Sequence, residues 1–114
     1  MRWFMKNIIF MLFFITPASW AGCNNIACYG VGKDVLTRTY LASSGNIYIG
    51  APVGKENLKC DLYSGEYMTL KMNHLLYREI YSTILTGIAA QKQLQIRIVE
   101  NSPECEIEYV TMTP

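Results

Sequence analysis

Hydrophobic and polar positions alternate along most of the chain, and the period changes once. Residues 35–42 (Val-Leu-Thr-Arg-Thr-Tyr-Leu-Ala) are rich in β-branched types and predict a strand. The turn signal Ser43-Ser44-Gly45-Asn46 follows, then the short alternating Ile47-Tyr48-Ile49, so the two strands predict a hairpin. Residues 51–59 contain Pro52 and Gly54 and read as a loop. Ser64-Gly65 opens a third strand over 66–72, where Met68, Leu70 and Met72 alternate with Tyr67, Thr69 and Lys71. From 75 to 90 the apolar residues fall at Leu76, Tyr77, Ile80, Tyr81, Ile84, Leu85 and Ile88, a stripe on one helix face. Asn73 is the expected N-cap, and Gly87 weakens the last turn. Two further strands are predicted. In 94–99, Leu94, Ile96 and Ile98 share a face; in 105–112, Cys105, Ile107 and Tyr109 oppose Glu104, Glu106 and Glu108.

The expected fold class is therefore mainly β with one helix, in the order β-β-β-α-β-β. A five-stranded OB-like barrel has this order, with the helix between its third and fourth strands. Each strand shows the single apolar face that a small closed barrel needs. The alternative is an open α+β sheet with the helix on one face.

Residues 1–21 change the picture of composition. Arg2 and Lys6 precede an unbroken apolar run over 8–15, Thr16-Pro17 breaks it, and small residues stand at Ser19 and Ala21. This is the layout of a secretory signal peptide, and the run is too short to span a bilayer. Residues 22–34 would then form an N-terminal lead and 35–114 the folded domain. Every Phe and Trp lies in the first segment, so the remainder carries Tyr as its only aromatic. Removing Arg2 and Lys6 leaves eight Lys+Arg against nine Asp+Glu, a net charge of about −1. That balance argues against a nucleic-acid partner, and no second apolar run remains for a membrane span. The expected destination is the periplasm or the medium. Ala21-Gly22-Cys23 also admits a lipoprotein reading, in which Cys23 would be lipidated.

Four cysteines, Cys23, Cys28, Cys60 and Cys105, in a small exported domain imply disulfides with three pairings open. Closeness in sequence favours Cys23–Cys28, which leaves Cys60–Cys105 to tie the middle of the chain to its end. A zinc site competes poorly, with no Cys-x-x-Cys and His74 as the one histidine.

Candidate catalytic chemistry is sparse. His74 has no nucleophile motif near it and reads as a surface or capping residue. Gly30-Val31-Gly32-Lys33-Asp34 has glycines and a lysine but neither the spacing of a phosphate loop nor a helix behind it. Glu104, Glu106 and Glu108 form an acidic stripe better suited to a solvated edge than to paired-carboxylate chemistry. The expectation is a non-enzyme without cofactor or metal. Tyrosine is more informative. Tyr77 and Tyr81 lie on the helix stripe, and Tyr109 shares a face with Cys105 and Ile107, so all three are expected in the core. Tyr48 and Tyr67 fall opposite the apolar faces of their strands, and Tyr40 sits in a strand that alternates poorly. Tyrosine combines an apolar ring with a polar tip, which suits sugar or protein contacts. Tyr40, Tyr48 and Tyr67 are the candidate ligand-binding residues; the plainer alternative is that they cover a thin wall or a subunit interface.

Tyr77-Arg78-Glu79-Ile80-Tyr81, followed by Gln93-Leu94-Gln95-Ile96-Arg97-Ile98, resembles the helix-then-strand signature of the B subunits of subtilase-type and pertussis-like AB toxins. Ile47-Tyr48-Ile49, the Cys60 and Cys105 positions, and the run from Arg97 through Ile107 are also similar to small exported proteins of Gram-negative bacteria without an assigned role. The likeness spans about residues 35–112. It implies an OB fold, a homo-oligomeric ring and glycan recognition. The functional expectation is an exported binding module for a glycan or a protein; the alternative is a periplasmic structural or accessory protein of the envelope with no small ligand.

Overall fold

Short alternating strands bury one face each, so they must stack in layers. The computed structural model describes residues 21–114 and places them in two antiparallel sheets with one helix. The predicted signal segment lies outside the described residues except for Ala21. In chain order the elements are β1 (Gly22–Cys23), β2 (Ala27–Val31), a 3-10 turn (Gly32–Val35), β3 (Thr39–Leu41), β4 (Ile47–Gly50), a second 3-10 turn (Lys55–Asn57), β5 (Tyr67–Leu70), α1 (Tyr77–Ala89), β6 (Gln93–Ile98) and β7 (Ile107–Thr113). One sheet has the order β1-β2-β6-β7 and the other β3-β4-β5. A parallel bridge between Thr69 and Glu106 joins them, and no closed barrel is found.

The N-terminal lead is part of the fold. Asn24 Oδ1 accepts the N–H groups of Ile26 and Ala27, at 2.9 and 2.8 Å, and turns β1 back onto β2. Cys23 and Cys28 become cross-strand partners and are joined by a disulfide. A sulfur in a disulfide has no thiol left for lipid. The predicted strand over 35–42 shrinks to Thr39–Leu41, because the 3-10 turn at Gly32–Val35 bends the chain away from β2. The second disulfide joins Cys60 to Cys105 and ties the loop between β4 and β5 to the turn before β7. All four cysteines are thus in disulfides.

The core comes from both sheets and the helix: Ile47, Ile49, Met68 and Leu70 from one, Leu94, Ile96, Ile98 and Ile107 from the other, and Ile80 and Ile84 from α1. Tyr77 and Tyr81 pack against it half-buried, while Leu76 and Leu85 stay exposed because the buried line on the helix is narrower than the apolar stripe. Gly87 has a packing role. A Cβ there would fall 2.6 Å from Leu94 Cδ2, so only glycine lets the last turn approach β6 this closely.

His74, rather than Asn73, prepares the helix. Its Nδ1 accepts the Leu76 N–H at 2.9 Å, and its Nε2 lies 2.8 Å from the Glu108 carbonyl, so the tautomer consistent with both bonds carries its proton on Nε2. Tyr109 lies outside the core in which its alternation would place it. The register shifts between Arg97 and Ile98, so Ile98 pairs with Ile107 but Arg97 pairs with Tyr109. One extra residue, Glu108, exchanges the faces of β7 beyond that bulge. Val110 therefore packs against the core, and Tyr109 turns outward beneath the Arg97 guanidinium, 5.8 Å from its ring centroid.

Candidate functional site: a tyrosine face

The outer side of the β3-β4-β5 sheet is built from the polar half of each strand's alternation. Tyr40 and Tyr48 are direct partners across β3 and β4, and Tyr67 pairs one step along, opposite Gly50. The three candidate residues therefore meet. Ring centroids are 5.4 Å apart for Tyr40 and Tyr48, 5.8 Å for Tyr40 and Tyr67, and 6.1 Å for Tyr48 and Tyr67. These are tilted or edge-on contacts that suit the ring quadrupole.

Their exposure differs from what outward-facing Tyr48 and Tyr67 would lead one to expect. Tyr40 is 46% exposed, whereas Tyr48 and Tyr67 are only 7% and 8% exposed. A fourth ring explains part of the covering. Tyr63 stacks on Tyr48 with centroids 4.2 Å apart and planes within 12°. A tight turn places it there. Tyr63 and Tyr67 exchange backbone hydrogen bonds of 2.9 and 3.0 Å around Ser64, Gly65 and Glu66, the first two left-handed with φ of 53° and 70°. The signal was present in Ser64-Gly65. A tight hairpin turn has two flanks, so a tyrosine on each side falls on the same face as its cross-turn partner.

Polar groups surround the rings. Arg38 Nη1 donates to the Tyr67 hydroxyl at 3.3 Å. Beside it an open cleft of about 260 Å³ is lined by Thr37, Arg38, Lys55, Glu66 and Tyr67. At the opposite border Lys71 Nζ lies 3.4 Å from Glu104 Oε1. The charge that Tyr48 would carry, and then its hydrogen bond, hold the Tyr63 hydroxyl above its ordinary value of 10.0. Tyr63 is therefore a neutral donor and acceptor at physiological pH.

The acidic stripe does not act as a unit: Glu104 is half-buried beside Lys71, whereas Glu108 is exposed. Gly30 to Asp34 is the end of β2 and a 3-10 turn. Both ring nitrogens of His74 are engaged with backbone. Among the described residues no three His, Cys, Asp or Glu side chains are grouped to hold a metal ion, and no helix is long and apolar enough to cross a membrane. A second recess, about 460 Å³, lies at the helix start among Gly45, Met72, His74, Leu75, Tyr77 and Arg78. It is bordered by Leu75, which is 91% exposed. The tyrosine face thus brings together aromatic rings, phenol hydroxyls and the Arg38 guanidinium.

No family model, curated protein or solved structure matches this chain.

Proposed function

We propose that the protein is an exported, non-catalytic binding module and that the tyrosine face recognises a glycan. The gathering of Tyr40, Tyr48, Tyr63 and Tyr67 beside Arg38 carries this reading. A pyranose ring has an apolar C–H face and a rim of hydroxyls, and the exposed Tyr40 ring, backed by the buried Tyr48 and Tyr67, offers the matching pair of surfaces. The layout of residues 1–21 and the two disulfides support export to an oxidising compartment.

An OB-like topology and kinship with the toxin B subunits belong to the same reading. In its favour, β2 and β3 act as two halves of one bent strand, the first pairing β6 and the second pairing β4. The helix falls between β5 and β6, and the bridge from Thr69 to Glu106 brings the third OB strand beside the fifth. Closing the barrel would need more pairs along that seam. By the same kinship the module would work as a homo-oligomer.

A second reading, an envelope accessory protein, is favoured by a different observation. Met72 and Leu75 form an exposed apolar border to the recess at the helix start. That is the kind of surface a protein partner covers.

The deciding experiment is a glycan array with the purified exported form, run beside Tyr40→Ala and Tyr48→Phe. Binding that falls with Tyr40→Ala supports the glycan reading. An empty array, with co-purification of an envelope protein that Leu75→Asp abolishes, favours the accessory reading.

A further inference from the structure

Thr69 is fully buried although it lies on the outer side of its strand, between the inward-facing Met68 and Leu70. Its cross-strand partner is Tyr48, so both side chains rise from the same face. The Thr69 N–H is taken by the Cys105 carbonyl at 3.0 Å, but among the described residues its Oγ1 has no hydrogen-bond partner. Valine would fill this space without leaving a hydroxyl unpaired, so threonine here keeps a polar group that the fold leaves unused.

A carboxylate that lacks a hydrogen bond stands near it. The Thr69–Glu106 bridge brings residues 104–106 alongside residues 69–71. Glu104 Oε1 is buried and lies 3.4 Å from Lys71 Nζ, yet makes no hydrogen bond. A stacked phenol, an unpaired hydroxyl and a carboxylate oxygen paired only through its charge with Lys71 thus lie along neighbouring strands.

We propose that Tyr63 holds the place of a ligand: a neutral hexopyranose unit displaces it from Tyr48 and completes the hydrogen bonds of Thr69 Oγ1 and Glu104 Oε1. The inference rests on the glycan reading and deepens it. A phenol is a flat ring with one hydroxyl; a pyranose is a ring of similar breadth with several hydroxyls, each able to donate to the carboxylate or to exchange with the threonine. The Glu104 carboxylate disfavours an acidic sugar in this position by like-charge repulsion. Tyr63 flanks the three-residue turn of Ser64, Gly65 and Glu66, where a Cβ at Gly65 would meet nothing within 4 Å, so the turn has open space beside it.

The test uses the exported form with both disulfides intact and saturation-transfer NMR against three probes: methyl β-galactopyranoside, methyl α-mannopyranoside and N-acetylneuraminic acid. Tyr63→Ala removes the competing ring and is expected to bind at least one neutral glycoside about tenfold more tightly than the parent. Adding the isosteric Thr69→Val to Tyr63→Ala is expected to abolish that gain, with the acidic sugar gaining nothing in either variant. No gain in Tyr63→Ala, or a gain that survives Thr69→Val, overturns the inference. If array binding is lost in Tyr40→Ala but unchanged in Thr69→Val, the inference falls and the glycan reading stands. If no variant binds any glycan, both fall.

Discussion

Tyr63 lies flat on Tyr48 although the two residues belong to different hairpins, with ring centroids 4.2 Å apart. A loop residue thereby covers a strand residue, and the two rings should contribute unequally. Truncating the inner ring, Tyr48→Ala, is expected to destabilise by about 3 kcal/mol through the cavity it leaves. Tyr63→Ala should lose only about 1 kcal/mol, the value of one aromatic contact. Urea unfolding of the oxidised protein measures both, and equal losses would contradict the layered arrangement.

The same contact gives an alkaline signature. The Tyr63 hydroxyl is raised above 10.0 in the folded state, first by the charge of Tyr48. A raised value stabilises the fold below the unfolded value and withdraws that contribution as pH climbs toward the folded one. Stability should therefore decline above about pH 10, and Tyr63→Phe should flatten the decline. Unfolding midpoints on either side of that pH would show it; an unchanged slope would refute the assignment.

Gly87 should resist improvement. Helix propensity alone favours Gly87→Ala by about 1 kcal/mol. The added Cβ, however, would lie 2.6 Å from Leu94 Cδ2, an overlap of the kind that destabilises by roughly 1–3 kcal/mol. A net loss of thermal stability is expected, and because Leu94→Ala removes the clash, the double variant should lose less than the sum of the two single losses.

The disulfides should differ in weight. Cys60–Cys105 closes a sequence separation of 45 and Cys23–Cys28 one of 5. In the chain-entropy model these correspond to about 4 and about 2 kcal/mol. Paired Cys→Ala replacements compared by unfolding at one temperature would rank them, and the reverse order would exclude loop closure as the main cause.

The bulge in β7 makes a paired prediction. Tyr109→Thr, on the outward face, should change stability by at most about 1 kcal/mol, the worth of its contact with Arg97. Val110→Ser, whose side chain packs on the core, should lose about 1–2 kcal/mol of apolar burial. The opposite ranking would mean that the unbroken alternation of residues 105–112 extends through the strand.

Much of this protein is written in local periodicity. Alternation at Ile47-Tyr48-Ile49 and at Leu94, Ile96 and Ile98 predicts strands, and the strands are there; the 3.6-residue stripe through Ile80 and Ile84 predicts the helix, and it is there. The even cysteine count and short first spacing anticipate the pairing found. Even the outward faces of Tyr48 and Tyr67 follow from the sequence, because in a strand the side of a residue is decided by its neighbours in the chain. What covers a face is another matter. Tyr109 needed the register shift opposite Arg97 and Ile98, Gly87 needed the approach of Leu94, and Tyr48 needed a ring from across the Ser64-Gly65 turn. Each depends on residues distant in the chain or across a turn, and a periodic pattern reports which way a side chain points but not what arrives to meet it.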